Sequence, residues 1–284
     1  MKMMRLMTRL ARGFVAGYNI EDALKQVQKL QDKGIMSTMD ILGEAVQDRA
    51  QCDKAVQDYL GLLTKLAEVK SEAHISVKLT QMGLAIDDAY CHDNLVKLLT
   101  LAAKNGRFVR IDMEGSDVTQ RTLDIFTKLL KKFDNVGIVI QAMLHRSEKD
   151  IRNINTLKAR VRLCKGAYKE PKEVALTKMK DIRANFIKLA EVLFKNGVYP
   201  AVATHDSKLI KWTKAYAAEN RIANTDFEFQ LLYGIRNGTQ RKLAKDGYRV
   251  RTYVPYGTHW MAYFKRRLRE RKTLIFLAKN LFKR

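Results

Sequence analysis

The chain has 284 residues, 46% of them hydrophobic, and a formal net charge of +23. This length allows one large globular domain, and the apolar content excludes a disordered chain. The charge calls for an anionic partner or surface, for which nucleic acid and anionic lipid are the candidates. Cys52, Cys91 and Cys164 form neither a disulfide framework nor a zinc spacing, which favours a reducing, cytoplasmic location. No apolar run approaches the ~20 residues needed to span a bilayer.

Strand and helix patterns alternate along the chain after an amino-terminal helical segment over residues 1–34, in which Asn19 caps a helix. Strands are predicted over residues 35–42, 74–80, 107–113, 137–143, 160–165, 200–204, 227–231 and 248–256. A long helix is predicted after the first strand, through residue 69, and another after the seventh strand, ending before residue 247. Between them, helices are predicted over residues 88–105, 117–133, 147–157, 172–196 and 207–219. The last helix is predicted to follow an N-cap at Thr258. Eight such pairs without a linker predict an α/β fold, a single-domain (β/α)8 barrel of the TIM type over residues 1–284.

The carboxyl ends of these strands carry polar or ionisable residues after apolar bodies. They are Asp40, Lys78, Asp112, Glu114, Gln141, Arg162, Lys165, Thr204, His205, Gln230 and Tyr253. Barrel enzymes work at this end, so eight polar strand ends on one rim predict an active site, although each alone would suit a loop edge. The sequence contains neither a cluster with metal-ligand spacing nor a Gly-x-Gly-x-x-Gly, so neither a metal site nor a Rossmann module is expected.

Two motifs in the carboxyl-terminal half of the chain suit anions. Lys165 stands beside Gly166 and Ala167, where the backbone can approach a phosphate closely. Arg266 and Arg267 follow the last strand, and two guanidinium groups there can hold a carboxylate or a phosphate. In isolation such a pair would more often be a solvated basic helix face. Together with the strand ends, the motifs indicate an anionic cofactor and an anionic substrate.

Seven motifs, taken in order, resemble the monofunctional bacterial proline dehydrogenases over residues 14–272. They are Ser76-Val-Lys-Leu-Thr80, Arg110-Ile-Asp-Met-Glu114, Gly137-Ile-Val-Ile-Gln-Ala142, Arg162-Leu-Cys-Lys-Gly-Ala-Tyr168, Ala203-Thr-His-Asp206, Phe227-Glu-Phe-Gln230, and the stretch from Tyr253-Val-Pro-Tyr-Gly-Thr258 to Arg266-Arg267-Leu-x-x-Glu270. The resemblance implies a distorted (β/α)8 barrel with non-covalent FAD. It implies oxidation of L-proline to Δ1-pyrroline-5-carboxylate by hydride transfer to flavin N5, with a membrane quinone as acceptor and pyrroline-5-carboxylate dehydrogenase as the next enzyme.

The resemblance also implies a role for each matching residue. Asp112 and Arg162 are the implied catalytic residues, with Arg162 against the flavin near N5. The implied proline-binding residues are Lys78, Tyr168, Leu232, Tyr253, Arg266, Arg267 and Glu270, the last holding the two arginines. The implied flavin-binding residues are Met113, Gln141, Arg162, Lys165, Gly166, Ala167, Thr204 and His205.

The chain departs from the family pattern at four positions, Gly115, Met143, His145 and His259. The family usually has an acidic residue at the first, tyrosines at the next two, and often aspartate at the fourth. None of these changes removes an implied catalytic group. They bear on flavin affinity and on access for the electron acceptor.

Two alternatives remain open at this stage. A barrel that oxidises hydroxyproline is one, although its enzymes tend to have a residue smaller than Tyr253. A nucleic-acid-binding protein is the other, and it is disfavoured because the basic residues are spread over most helices. The basic, amphipathic tail over residues 272–284 either packs on the barrel or attracts anionic lipid at the inner face of the cell membrane.

Overall fold

The computed structural model describes residues 13–268, without the side chains of Arg267 and Leu268. Within that part of the chain, the strands are β1 (Met36–Ile41), β2 (His74–Val77), β3 (Val109–Ile111), β4 (Val136–Gln141), β5 (Arg160–Cys164), β6 (Val198–Ala203), β7 (Glu228–Leu232) and β8 (Arg249–Tyr256). The helices are α1 (Ile20–Gln31), α2 (Arg49–Glu68), α3 (Asp88–Lys104), α4 (Ser116–Leu130), α5 (Ser147–Thr156), α6 (Met179–Asn196), α7 (Ser207–Glu219), α8 (Asn237–Lys245) and α9 (Trp260–Leu268).

The eight strands form a closed parallel barrel in the order β1 to β8, and β8 pairs with β1. Each crossover between neighbouring strands carries a helix from α2 to α8, which is the topology of a TIM barrel. The predicted fold class is therefore confirmed. Because all strands run the same way, their carboxyl ends meet on one rim, where the predicted site residues were expected.

Apolar residues at helical and strand spacing form the core between the barrel and the helices. Leu62, Leu66, Leu98 and Phe126 on α2, α3 and α4 are fully buried against strand residues such as Ile75. Both faces of a parallel sheet need apolar cover, and the helices provide it on the outside. In α1, the Asn19 side chain accepts a hydrogen bond from the Asp22 N–H at 2.8 Å, which confirms the predicted N-cap.

A second apolar cluster holds α9 over the carboxyl-terminal rim. Trp260, Tyr263 and Phe264 pack against Phe14 and Leu42, which lie before α1 and after β1. This packing explains the helical spacing of the aromatic residues in the last segment. As a consequence, α9 places Arg266 beside the strand ends.

The helix predicted over residues 172–196 begins only at Met179, so the prediction of helix over residues 172–178 was wrong. The reason is tertiary, because the preceding segment hydrogen-bonds to the loop between β4 and α5. The His145 N–H donates to the Val174 carbonyl, and the Leu176 N–H donates to the Met143 carbonyl. The last helix likewise begins at Trp260, so Thr258 is not the residue next to it.

Candidate active site

A buried lysine forms the centre of the strand-end cluster. Lys78 follows β2, and its ammonium group donates to both carboxylate oxygens of Asp40 at 2.9 Å. It also donates to the Tyr253 hydroxyl at 3.3 Å and lies 3.8 Å from the carboxylate of Asp112. Burial alone would lower the pKa of Lys78, but the charges of Asp40 and then Asp112 outweigh it and raise that pKa. The lysine is therefore a fixed cation at neutral pH.

Arg162 adds a second cation to the same cluster. One terminal nitrogen donates to Asp112 at 2.7 Å and the other to the Ser76 hydroxyl at 3.1 Å. The guanidinium carbon also lies 5.4 Å from the centre of the Tyr253 ring. The Nε–H of Arg162 is buried and has no hydrogen-bond partner among the described residues. A buried donor without a partner is costly, so this nitrogen fits an acceptor on a bound molecule.

Asp112 joins these groups. Its two oxygens accept from Arg162 and from the Tyr253 hydroxyl, the latter at 2.7 Å. β2, β3, β5 and β8 therefore contribute one connected network around Asp112. The structure brings four of the predicted residues together here: Lys78, Asp112, Arg162 and Tyr253.

Two members of this network had no role assigned from the sequence: Asp40, which was predicted only as a polar strand end, and Tyr59, which was not predicted at all. Asp40 is fully buried, and its carboxylate accepts from Lys78 and, at 3.3 Å, from the Tyr59 hydroxyl. Tyr59 comes from α2, outside the barrel, and its single O–H proton is shared between Asp40 and the nearer Ser76 carbonyl, at 2.8 Å. Asp40 was recognisable as a polar strand end, but a tyrosine in an apolar helix face gives no such signal.

Arg266 on α9 faces the rim from above. It forms an ion pair with Glu44, at 2.5 Å, and its guanidinium lies 5.5 Å from the centre of the Tyr168 ring. Burial and then the Glu114 carboxylate raise the pKa of the Tyr168 phenol, while Arg266 and Lys78 act in the opposite direction. The 5.5 Å contact places α9 beside the Tyr168 ring, which follows β5 at the carboxyl-terminal rim. Glu44, in the loop after β1, was also missed.

The residues predicted to bind flavin line the rim on the β3 to β6 side. Gln141 ends β4, donates to the Glu114 carbonyl at 2.8 Å and accepts from the Ala167 N–H at 3.4 Å. Gly166 has a φ of +110°, a conformation that favours glycine. A Cβ there would collide with the thioether of Met143. Met113, two residues after the end of β3, is buried.

Lys165, Thr204 and His205 lie at the ends of β5 and β6. The Lys165 ammonium group lies 3.6 Å from Asp206, and the Thr204 hydroxyl accepts from the Asp206 N–H at 3.1 Å. The His205 Nε2 accepts from the Leu232 N–H at 2.9 Å, which fixes the ring beside the end of β7. The sequence had assigned His205 and Leu232 to different ligands, and the structure joins them.

Two predicted residues fall beyond what the structure describes. Arg267 lies in α9, but its side chain is outside the description, and Glu270 is outside it altogether. A cavity of about 1460 Å³ also opens between the β1–α2 loop, α2 and the turn after β8. Its lining includes Glu44 and His259 but not Lys78, Asp112 or Arg162, so the charge cluster defines the candidate site better than this cavity does.

A closed (β/α)8 barrel with a buried cluster of opposite charges at its carboxyl-terminal rim defines an enzyme of the TIM-barrel class. Residues 23–274 match the family model for proline dehydrogenase. The chain is 40% identical over 272 residues to proline dehydrogenase 2 of Bacillus subtilis (strain 168), covering 95% of this chain and 90% of that protein. It is 36% identical over 283 residues to the proline dehydrogenase of Deinococcus radiodurans, covering 98% and 91%.

Among solved structures, proline utilization A from Bdellovibrio bacteriovorus, inactivated by N-propargylglycine, superposes with a TM-score of 0.86 at 29% identity. The match covers 92% of this chain and 32% of that protein, so this chain corresponds to about a third of it. The chain therefore belongs to the proline dehydrogenase family of oxidoreductases, which act at the first step of proline catabolism. The family resemblance and the enzyme class predicted from the sequence are confirmed.

Proposed function

We propose that this enzyme uses non-covalently bound FAD to oxidise L-proline to Δ1-pyrroline-5-carboxylate and passes the electrons to a membrane quinone. The observation that carries the cofactor proposal is the buried Nε–H of Arg162 within a strand-end cluster, which has no hydrogen-bond partner in the part of the chain that the structure describes. That donor fits an acceptor atom of the flavin ring, and the turn at Gly166 leaves backbone available to a phosphate. When bound, FAD would supply the acceptor of the hydride at its N5.

Arg162 and Asp112 are the proposed catalytic pair. The guanidinium group of Arg162, fixed by Asp112 and Ser76, would stabilise negative charge on a reduced cofactor without moving during the reaction. Asp112 would fix the positions of Arg162 and Tyr253, because one of its oxygens accepts from each of them. The remaining proposed cofactor contacts are Met113, Gln141, Lys165, Gly166, Ala167, Thr204 and His205.

The proposed proline site lies between Lys78 and α9. Arg266, together with Arg267 and Glu270 as the family pattern implies, would hold the carboxylate, because a guanidinium fork matches its geometry. Lys78 would contact the substrate from below, with its charge already balanced by Asp40. Tyr168, Tyr253 and Leu232 would enclose the ring and exclude water.

The cofactor proposal is tested by thermal unfolding with and without saturating FAD, together with the absorbance of the purified protein. A ligand at 100 times its Kd stabilises the folded state by about 2.7 kcal/mol, so the melting temperature should rise measurably. Protein that neither carries flavin nor gains stability from added FAD would contradict the proposal.

We also propose a cytoplasmic enzyme that associates peripherally with anionic membranes, since its acceptor is dissolved in lipid and its net charge is +23. No helix in the described residues has the length and apolar character needed to cross a membrane. Sedimentation with anionic and neutral liposomes at low and high salt tests this point. Binding to anionic liposomes alone, reversed by salt, is expected. Equal binding to both, or to neither, would contradict it.

A further inference from the structure

The loop between β5 and α6 carries the proposed substrate residue Tyr168 between two anchored ends. At the first end, the Lys165 carbonyl accepts from the Met143 N–H at 2.9 Å. At the second, the Lys172 carbonyl lies 3.0 Å from the His145 Nε2. Residues 166–171, which we name the wall segment, span the distance between these anchors. At its end, the Pro171 carbonyl accepts from the Val174 and Ala175 N–H groups of the following turn. Before Pro171, the hydrogen bond that joins the backbone of the wall segment to another described residue is a long one, from the Ala167 N–H to the Gln141 side chain at 3.4 Å.

Glu170 supplies the strongest attachment within the wall segment. One of its oxygens accepts from the Ser116 N–H at 2.9 Å, and the other accepts from the Ser116 hydroxyl at 2.5 Å. Ser116 is the first residue of α4, and the residue before it, Gly115, has no side chain with which to cap the helix. Glu170 therefore caps α4 from another loop, and this contact joins the β5–α6 loop to the β3–α4 loop.

Three of the four departures from the family pattern meet at this loop. At Gly115 the usual acidic side chain is missing, and the carboxylate of Glu170 occupies the neighbouring helix end. Met143 packs against Gly166 where the family usually has tyrosine. His145 binds the carbonyl at the far end of the wall segment. These three departures therefore lie where the β5–α6 loop contacts its neighbours.

We propose that Glu170 is a positioning residue for substrate binding, which fixes the wall segment and with it Tyr168 by tying it to Ser116. This inference rests on the proposed function, in which Tyr168 encloses the proline ring. Glu170 lies only two residues after Tyr168. Loss of its hydrogen bonds to Ser116 would therefore detach the wall segment from the β3–α4 loop. Tyr168 would then lose its fixed position beneath Arg266.

The test compares Glu170→Ala with Glu173→Ala, an exposed glutamate of the same loop beyond the His145 anchor. The holoenzyme is assayed for proline oxidation, and the inhibitor tetrahydrofuran-2-carboxylate is titrated by the perturbation of flavin absorbance. Glu170→Ala should raise KM for proline and Kd for the inhibitor together by roughly five- to tenfold, with kcat changed less than about threefold. Glu173→Ala should change none of these, and Glu170→Gln, which keeps one acceptor oxygen, should restore part of the affinity.

A second substitution separates substrate positioning from helix capping. Gly115 has an extended backbone, with φ −64° and ψ 158°, which an aspartate N-cap of α4 can adopt. Its Cβ would overlap the Asp117 carboxylate, so the Asp117 side chain must rotate away to make room. Gly115→Asp in the Glu170→Ala background should recover thermal stability but not KM. Recovery of KM and inhibitor affinity as well would overturn the inference, because capping alone would then explain the effect.

Two further outcomes decide the remaining cases. Should Glu170→Ala fold poorly, Ser116→Ala removes only the hydroxyl bond, and an unchanged KM and inhibitor Kd in that variant would overturn the inference. Wild-type protein that binds flavin but does not oxidise proline would overturn the proposed function, and the inference with it. An active wild type with an unaffected Glu170→Ala would overturn the inference alone.

Discussion

The barrel holds buried charges at both of its ends, and they are arranged differently. At the amino-terminal end, the Nε of Arg251 donates to both oxygens of Glu228, and its Nη1 donates to the Ser37 carbonyl at 2.9 Å. Arg110 donates to strand carbonyls, at 2.6 Å to that of Arg160. At the carboxyl-terminal end, the hydrogen bonds that the side chains of Lys78 and Arg162 donate to described residues go only to other side chains and not to strand carbonyls.

This difference distinguishes a cluster that ties strands together from the cluster that we propose binds ligands. Guanidinium groups bound to strand carbonyls tie neighbouring strands together and leave little to offer a ligand. Burial and then Arg251 lower the pKa of His74, so the imidazole near this cluster remains neutral. At the opposite end, which lies beneath α9, the Arg162 Nε–H has no hydrogen-bond partner within residues 13–268 as described. Burial of charge alone therefore does not identify an active site, and the site that we propose rests on its place at the carboxyl-terminal rim as well as on the Arg162 Nε–H.

Breaking the amino-terminal cluster should give the largest effect. Glu228→Gln leaves Arg251 buried without its counter-charge, which typically costs about 3–5 kcal/mol of unfolding free energy. KM for proline, measured well below the melting temperature, should stay within twofold, because Glu228 lies at the far end of the barrel. The matched control is Glu68→Gln on the surface of α2, which should change stability by less than about 0.5 kcal/mol. A large rise in KM would contradict the separation of the two ends.

The same carboxylate should contribute to acid unfolding. Burial would raise the pKa of Glu228, but Arg251 outweighs it and lowers that pKa to about 2 from the ordinary 4.5. A lowered carboxylate pKa stabilises the fold above the unfolded value, and this contribution is lost as pH falls from about 4.5 towards about 2. Its size is about 3 kcal/mol. Urea unfolding between pH 6 and 3 should show a steeper loss for wild type than for Glu228→Gln, and parallel curves would contradict this assignment.

Substitution at the carboxyl-terminal end should weaken ligand binding without lowering the free energy of unfolding. Arg266→Met should weaken binding of proline and of tetrahydrofuran-2-carboxylate by roughly ten- to a hundredfold, since a hydrogen bond to a charged group contributes about 1.5–3 kcal/mol. Flavin content should be retained. The control is Arg152→Met, which removes an exposed arginine paired with Glu148. It should leave the affinity for proline and for tetrahydrofuran-2-carboxylate unchanged. Equal inhibitor affinity in Arg266→Met and wild type would place the carboxylate clamp elsewhere.

Tyr253 should give the smallest and most specific effect. Tyr253→Phe removes the hydroxyl that joins Lys78 and Asp112, and should lower kcat/KM by roughly two- to tenfold on proline and 4-hydroxyproline alike. Tyr253→Ser also opens space beside the ring, so it should reduce activity on proline more than on 4-hydroxyproline. Equal losses in the serine variant would mean that Tyr253 does not face the ring.

The sequence predicted the barrel and most strand-end residues because both follow from local patterns. Apolar strand bodies ending in polar residues gave Lys78, Asp112 and Arg162 directly. The start of α6 could not be predicted, because backbone bonds to residues 143–145 keep the preceding segment out of the helix. Tyr59, Glu44 and Glu170 could not be found either, since each acts through a residue distant in sequence: Asp40, Arg266 and Ser116 respectively.

Anaerobic titration of the purified holoenzyme with L-proline shows whether electrons pass from proline to a bound flavin. Proline should bleach the flavin absorbance, a quinone analogue should restore it, and Arg266→Met should require roughly ten- to a hundredfold more proline for the same bleaching. A flavin spectrum unchanged by saturating proline in the wild-type protein would contradict the proposed function.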